Sequence, residues 1–226
     1  MRNRTLEYAE KVVSGKVLKG HSERLCCQRF INDLKRQEDD DFKFYFNVEE
    51  AEKYINIANT LKISEGTKTE QLKTRGFQDF IIGNLHGWFD KRNDNNRFKE
   101  AYIQIARQNG KSFLSGIEGV NWSTFANYKN GLIVLGATKQ DQANIVWNEI
   151  AKFIRADENL NELYKVTEHI RTITSKITKT EIKSVGRDTK SLDGFRTIEQ
   201  CPFLKEILKS NRAKTVKVKV KAILIP

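Results

Sequence analysis

The run GLIVLGA, from Gly131 to Ala137, constrains the fold more than any other stretch of the chain. A half-exposed strand alternates apolar with polar residues, whereas an almost uninterrupted apolar run suits a strand buried on both faces of a parallel sheet. Parallel neighbours need a crossover between them, and the next residues supply one. In TKQDQANIVWNEIAKFIRA, the residues Ala143, Val146, Trp147, Ile150, Phe153 and Ile154 share one helical face, with Thr138 and Asp141 placed as a capping box. The preceding segment has the same layout: Tyr102, Ile103 and Ile105 suggest a strand, RQNG a polar loop, and KSFLSGIEGVNWSTFA a helix. Two strand–helix units in succession predict an α/β fold with a right-handed crossover.

The loop between the first strand and helix reads ARQNGKS, close to the phosphate-binding pattern GxxxxGK(S/T), but Ile105 stands where that pattern wants its first glycine. The loss is tolerable if residue 105 still belongs to the strand. Backbone amides of Gln108, Asn109, Gly110 and Phe113 could then face an anion at the helix mouth, and Gly110 would let the backbone approach it. Lys111 would reach β/γ oxygens, Ser112 would ligate Mg²⁺, and Arg107 would add a second cation. The alternative reading is a surface strand-to-helix turn with an incidental Lys and Ser.

Elsewhere the chain reads as helices with polar faces. Leu6, Ala9, Val12 and Val13 recur at helical spacing, as do Leu25, Phe30, Ile31 and Leu34. In NVEEAEKYINIANTL, Asn47 is the expected N-cap, and Ala51, Tyr54, Ile55, Ala58 and Leu61 form the stripe. The acids Glu38 to Asp41 are consecutive, point in different directions and read as a solvated turn. KISEGTKTE reads as polar connection, and Phe77, Phe80, Ile81 and Leu85 mark a helix ending at Gly87. HIRTITSKITKTEIKSVG, rich in Ile and Thr, suits short strands or a hairpin beside the sheet.

A net charge of +11 favours a polyanionic partner, because clustered Lys and Arg displace counterions from nucleic acid. Cys26, Cys27 and Cys201 have no zinc or disulfide spacing and are expected as thiols, and the three histidines are scattered. With neither a signal-peptide pattern nor an apolar run of membrane-spanning length, the expectation is a cytoplasmic protein without membrane contact.

RFKEAYIQIARQNGKSFLSG resembles the ATPase loop of the tailed-bacteriophage terminase large subunit, whose variant Walker A reads as a basic residue, two variable residues and GKS or GKT. LEYAEKVVSGKVLKG, RLCCQRFINDL, FQDFIIGNLHGWFD, GLIVLGATKQDQANIVWNEI and SLDG (Ser191–Gly194) resemble further segments of that family in its usual order, over approximately residues 6–195. The resemblance implies a P-loop NTPase-like parallel sheet flanked by helices, with ATP and Mg²⁺ bound by residues Arg107 to Phe113. It also implies that Gln78 contacts adenine and that ATKQDQA lies beside nucleotide and DNA. The implied partners are double-stranded DNA, a terminase small subunit and a capsid portal, with a ring oligomer in an intact relative and the bacterial host cytoplasm as location.

The pattern then breaks. In the family SLDG leads into an apolar strand ending in Asp-Glu, the Walker B pair; here FRTIEQCPFLKEILKSNRAKTVKVKVKAILIP follows, and Asp188, Asp193, Glu199 and Glu206 follow no apolar strand. The catalytic residues are therefore unassigned. The expected organisation is an N-terminal helical segment (1–70), a partial ATPase domain (71–195) and a divergent basic tail (196–226) without the nuclease domain. Such a fragment is expected to be marginally soluble, because a missing central strand exposes sheet edges. Two functional readings follow: the ATP-binding portion of a DNA-packaging motor, or a truncated, non-catalytic protein that binds nucleic acid or interferes with assembly.

Overall fold

A computed structural model describes residues 2–106, 108–126, 128–137 and 139–186, with Glu65 described by its backbone alone. The elements in chain order begin with α1 (Arg4–Val13), α2 (His21–Arg36), β1 (Phe44–Phe46), α3 (Val48–Thr60), β2 (Lys62–Glu65), β3 (Lys68–Gln71), α4 (Gly76–Gly87) and β4 (Trp88–Asp90). They continue with α5 (Lys111–Val120), a π-helical turn (Asn121–Phe125), β5 (Leu132–Ala137), α6 (Gln140–Ala156), α7 (Glu158–Leu163), β6 (Tyr164–Thr167), β7 (Thr172–Ser175) and β8 (Glu181–Gly186). The chain divides into two units, one formed by Met1–Thr60 with Leu72–Lys99 and the other by Leu61–Gln71 with Glu100–Pro226. This division differs from the expected one: residues 72–99 join the N-terminal helices, and residues 61–71 join the second unit.

Two helices of the first unit, α1 and α3, start where the sequence supplies acceptors for their free amides. Asn3 Oδ1 accepts from Leu6 N–H at 3.0 Å, and Asn47 Oδ1 accepts from Glu50 N–H at 3.0 Å, as expected of a cap. The apolar faces converge on an aromatic core in which Phe30 meets Phe46, Phe80 and Trp88 edge-on at 5.0, 5.7 and 5.9 Å. At one side of this core the Arg97 guanidinium lies over Phe42, Phe44, Trp88 and Phe98 and pairs with buried Asp33 at 2.7 Å. Cys26 and Cys27 are free thiols, and burial pushes the Cys27 thiol up to about 12, so it packs as an inert apolar group. The acids Glu38–Asp41 are exposed on a turn.

In the second unit β5, β8, β7 and β6 lie side by side in that order. β5 and β8 are parallel, in register from Leu132 against Glu181 to Ala137 against Gly186; β8–β7 and β7–β6 are antiparallel. The fold is α/β as expected, but among the described residues the sheet is mixed rather than parallel, because the Ile- and Thr-rich segment folds as β7 and β8, antiparallel to each other, and β7 and β6 extend the sheet on the side of β8 away from β5. β5 pairs only with β8 among the described residues, and it is half-buried for most of its length. The expected strand at 102–105 is also absent. Residues 101–106 alternate in exposure as an extended chain does, but only Ile103 makes a bridge. β2 and β3, read as polar connection, form a solvent-facing hairpin whose Lys62 pairs with Asp157 at 2.8 Å.

Asp79, on α4, is a buried carboxylate. Thr74 Oγ1 donates to Asp79 Oδ1 at 2.5 Å and itself accepts from Asn59 Nδ2 at 2.7 Å. Burial nevertheless pushes the Asp79 carboxyl above its ordinary pKa, with the Thr74 bond and Arg4 opposing the shift. A pKa raised on folding means that stability is fully present at low pH and is lost as pH rises through the folded value. Asp79→Asn should therefore raise the thermal midpoint at pH 7 by roughly 2–4 °C, as a gain near 1 kcal/mol would. In a calorimetric pH series the gain should vanish in acid, where the parent carboxyl is itself neutral; a gain that grows toward acid contradicts the assignment.

Candidate phosphate site

The loop expected to hold an anion is bent as such a loop must be. Gln108 has φ 62° and Gly110 φ 71°, so two of the three residues before α5 occupy the left-handed region. Gly110 is the N-cap of α5 and has no side chain to cap it, and the first intrahelical bond runs from Leu114 N–H to Gly110 O at 2.9 Å. The amides of Lys111, Ser112 and Phe113 therefore point out of the helix mouth, where the helix dipole favours negative charge. Lys111, Ser112 and Phe113 are half-buried, while Gln108, Asn109 and Gly110 are exposed. Lys111 makes no ion pair among the described residues, and its carbonyl accepts from Ser115 Oγ at 3.0 Å, which steadies the first turn.

Phe113, Leu114, Ile117 and Val120 anchor α5. Phe113 meets Phe153 of α6 edge-on at 5.3 Å, and Leu114 to Val120 are all buried. The face of α6 that was legible as a stripe is the face used: Ala143, Trp147, Ile150, Phe153 and Ile154 are buried, and Val146 half-buried. The N-cap of α6 is Lys139, while Thr138, expected there, lies outside the described residues; Asp141 sits in the first turn. In parallel sheets ligands sit beyond the carboxyl ends of the strands, and here β5 and β8 end level at Ala137 and Gly186.

The expected site residues are distributed unevenly. Gly110, Lys111, Ser112 and Phe113 come together at the helix mouth with Gln108 and Asn109 leading into it. Arg107 lies outside the described residues, as do Asp188, Asp193, Glu199, Glu206 and the SLDG segment. Gln78 belongs to the first unit, is buried, and uses its Oε1 to accept from Arg75 N–H at 2.8 Å, which fastens the start of α4. Among the described residues no group of three or more His, Cys, Asp and Glu is placed to hold a metal ion. Buried His86 stacks on Tyr54 at 3.9 Å.

Residues 76–207, more than half of the chain, match the family described as terminase large subunit, ATPase domain. The chain belongs to that family. Among solved structures, this chain is similar to the crystal structure of the HK97 bacteriophage large terminase, with 22% identity and a TM-score of 0.53. The match covers 62% of this chain and 28% of that one, so at this identity it establishes the fold. No curated protein matches. No helix among the described residues is long and apolar enough to cross a membrane.

One contact that the sequence did not reveal closes the sheet end of this ATPase-family unit. Gly186 N–H donates to Gln140 Oε1 at 2.7 Å, and a Cβ on Gly186 would lie 2.5 Å from Gln140 N and 2.6 Å from its Cα. Both obstacles are backbone atoms, so an added methyl must push β8 and the start of α6 apart. Gly186→Ala should lower stability by about 1–3 kcal/mol in urea unfolding; an unchanged midpoint contradicts so close an approach.

Proposed function

We propose that this chain is the nucleotide-binding part of a phage DNA-packaging motor, taking ATP with Mg²⁺ at the mouth of α5. The observation that carries the reading is the uncapped α5 N-terminus behind two left-handed residues, with Lys111 and Ser112 in its first turn. Gly110, Lys111, Ser112 and Phe113 would offer backbone amides to the phosphates, as would Gln108 and Asn109 ahead of them. The Lys111 ammonium would lie against the β/γ oxygens, and Arg107 would add charge at the loop's start. Ser112 suits Mg²⁺ as a single hydroxyl ligand, since this ion keeps waters and phosphate oxygens as its other ligands. The bound ion would neutralise charge on the phosphate oxygens. Gln78 is proposed to serve adenine, with its share confined to the Nε2 donor because Oε1 is engaged by Arg75 N–H.

In an intact relative the hydrolysis of ATP would drive double-stranded DNA into a capsid, with a small subunit and portal as partners in a ring oligomer inside the host cytoplasm. The domain organisation proposed is a helical N-terminal segment, a nucleotide-binding core and a basic tail. The net charge of +11 also supports a second reading, a nucleic-acid-binding module without turnover. DNA binding that weakens steeply with salt, in a protein with no ATPase activity, would select that reading.

Lys111→Ala should weaken Mg·ATP binding roughly 10- to 100-fold, as loss of a charged hydrogen bond does. Isothermal titration calorimetry on both proteins, with circular dichroism to confirm equal folding, measures it. Equal affinities would remove the site from this loop.

A further inference from the structure

Helix α5 does not end as an ordinary helix. Asn121–Phe125 continue it as a π-helical turn, a rare geometry found mostly as an insertion in α-helices and often near functional sites. Asn121, the first residue of that turn, is 0% exposed, and neither Oδ1 nor Nδ2 has a hydrogen-bond partner among the described residues. A buried amide left unpaired on both sides opposes the conformation that puts it there.

What holds the turn is a set of hydroxyls facing the β6–β7 hairpin. Ser123 Oγ and Thr124 Oγ1 each lie 2.7 Å from Tyr164 Oη, and Thr124 Oγ1 lies 3.0 Å from Ser175 Oγ. Thr178 Oγ1 donates to Ser123 O, and Thr178 N–H to Ser175 Oγ at 3.4 Å. Burial keeps the Tyr164 phenol protonated, so it remains a donor as well as an acceptor. Successive side chains of an α-helix stand about 100° apart, too far for neighbours to share one partner easily. The wider π turn brings Ser123 and Thr124 onto the same phenol. In an α-helical register one of the two would rotate away.

The segment is thus held in the π register by the hairpin and opposed in it by Asn121. We propose that α5 and its π turn form a two-register element, and that a nucleotide at the Lys111 end shifts the register and releases the hydroxyl contacts to the β6–β7 hairpin. The proposal rests on the nucleotide reading of the α5 mouth. A one-residue change at the C-terminal end rotates or slides the helix, so the first turn presents its amides differently in the two registers. A ligand that binds those amides better in one register shifts the population toward it.

Two substitutions act on the equilibrium in opposite directions. Tyr164→Phe removes the phenol that favours the unliganded register, and should tighten binding of a non-hydrolysable ATP analogue with Mg²⁺ about three- to tenfold. Asn121→Leu removes the unpaired amide that opposes that register, and should raise the thermal midpoint while weakening the same binding by a similar factor. A purely structural role for either residue would change stability without this opposed pair of affinities. On the parent chain, calorimetry should be paired with hydrogen exchange, which should change about tenfold in residues 120–126 and 164–178 when nucleotide saturates. Binding with unchanged exchange in both segments, or affinities that move together in the two variants, overturns the register proposal alone. Absence of binding by calorimetry overturns the nucleotide reading and this proposal with it.

Discussion

The second unit depends on the burial of α5 from Leu114 to Val120, which leaves only its first turn within reach of solvent. Leu114, Ile117 and Val120 on this helix, with Trp147, Ile150, Phe153 and Ile154 on α6, each contribute about 1.5–3 kcal/mol when taken out of water. That packing holds α5 as one body, so within a given register it sets the direction of the three amides at Lys111, Ser112 and Phe113. A mouth held by the core binds an anion without first having to be ordered, which is where a flexible loop of the same composition would lose affinity. The proposed ligand position rests on the geometry of this helix end in a chain of the terminase large subunit ATPase-domain family.

Burial along α5 also explains why its far end matters. A helix that cannot bend in the middle transmits any displacement of its first turn to its last, and its last turn is the π segment pinned to Tyr164. The polar groups there are buried as a connected set, Ser123, Thr124, Tyr164, Ser175 and Thr178, while Asn121 beside them is left out. A fully satisfied network specifies one arrangement, and a neighbour left unsatisfied makes a second arrangement accessible.

Much of this unit was legible in the sequence because its signals are periodic. The α6 stripe is written at helical spacing, the Ile and Thr of 170–185 mark β7 and β8, and GKS marks the start of α5. GLIVLGA announced a strand correctly but overstated its burial, since an apolar run says nothing about how many neighbours it has. Residues 102–105 keep the alternation of a strand, yet alternation does not supply a pairing partner, and among the described residues only Ile103 finds a bridge. The β2–β3 hairpin was missed because Ile63 is its only apolar strand residue and β3 is exposed throughout, so no apolar face distinguishes it from a loop; its turn carries Gly66 at φ 62°. The adenine role of Gln78 came from the resemblance; the sequence did not show that its Oε1 accepts from Arg75 N–H, which leaves Nε2 for that proposed role. The π turn has no residue signature of its own; the hydroxyls of Ser123 and Thr124 acquire meaning only once Tyr164, far along the chain, is beside them.

The central claim is that a triphosphate sits on the amides at the start of α5. Amide nitrogen–proton NMR of the labelled protein, titrated with a non-hydrolysable ATP analogue and Mg²⁺, addresses those atoms directly. The account predicts that the largest shifts fall on Gly110, Lys111, Ser112 and Phe113, and that they appear with inorganic triphosphate as well. Saturating shifts confined to other residues, with these four amides unmoved, would contradict it.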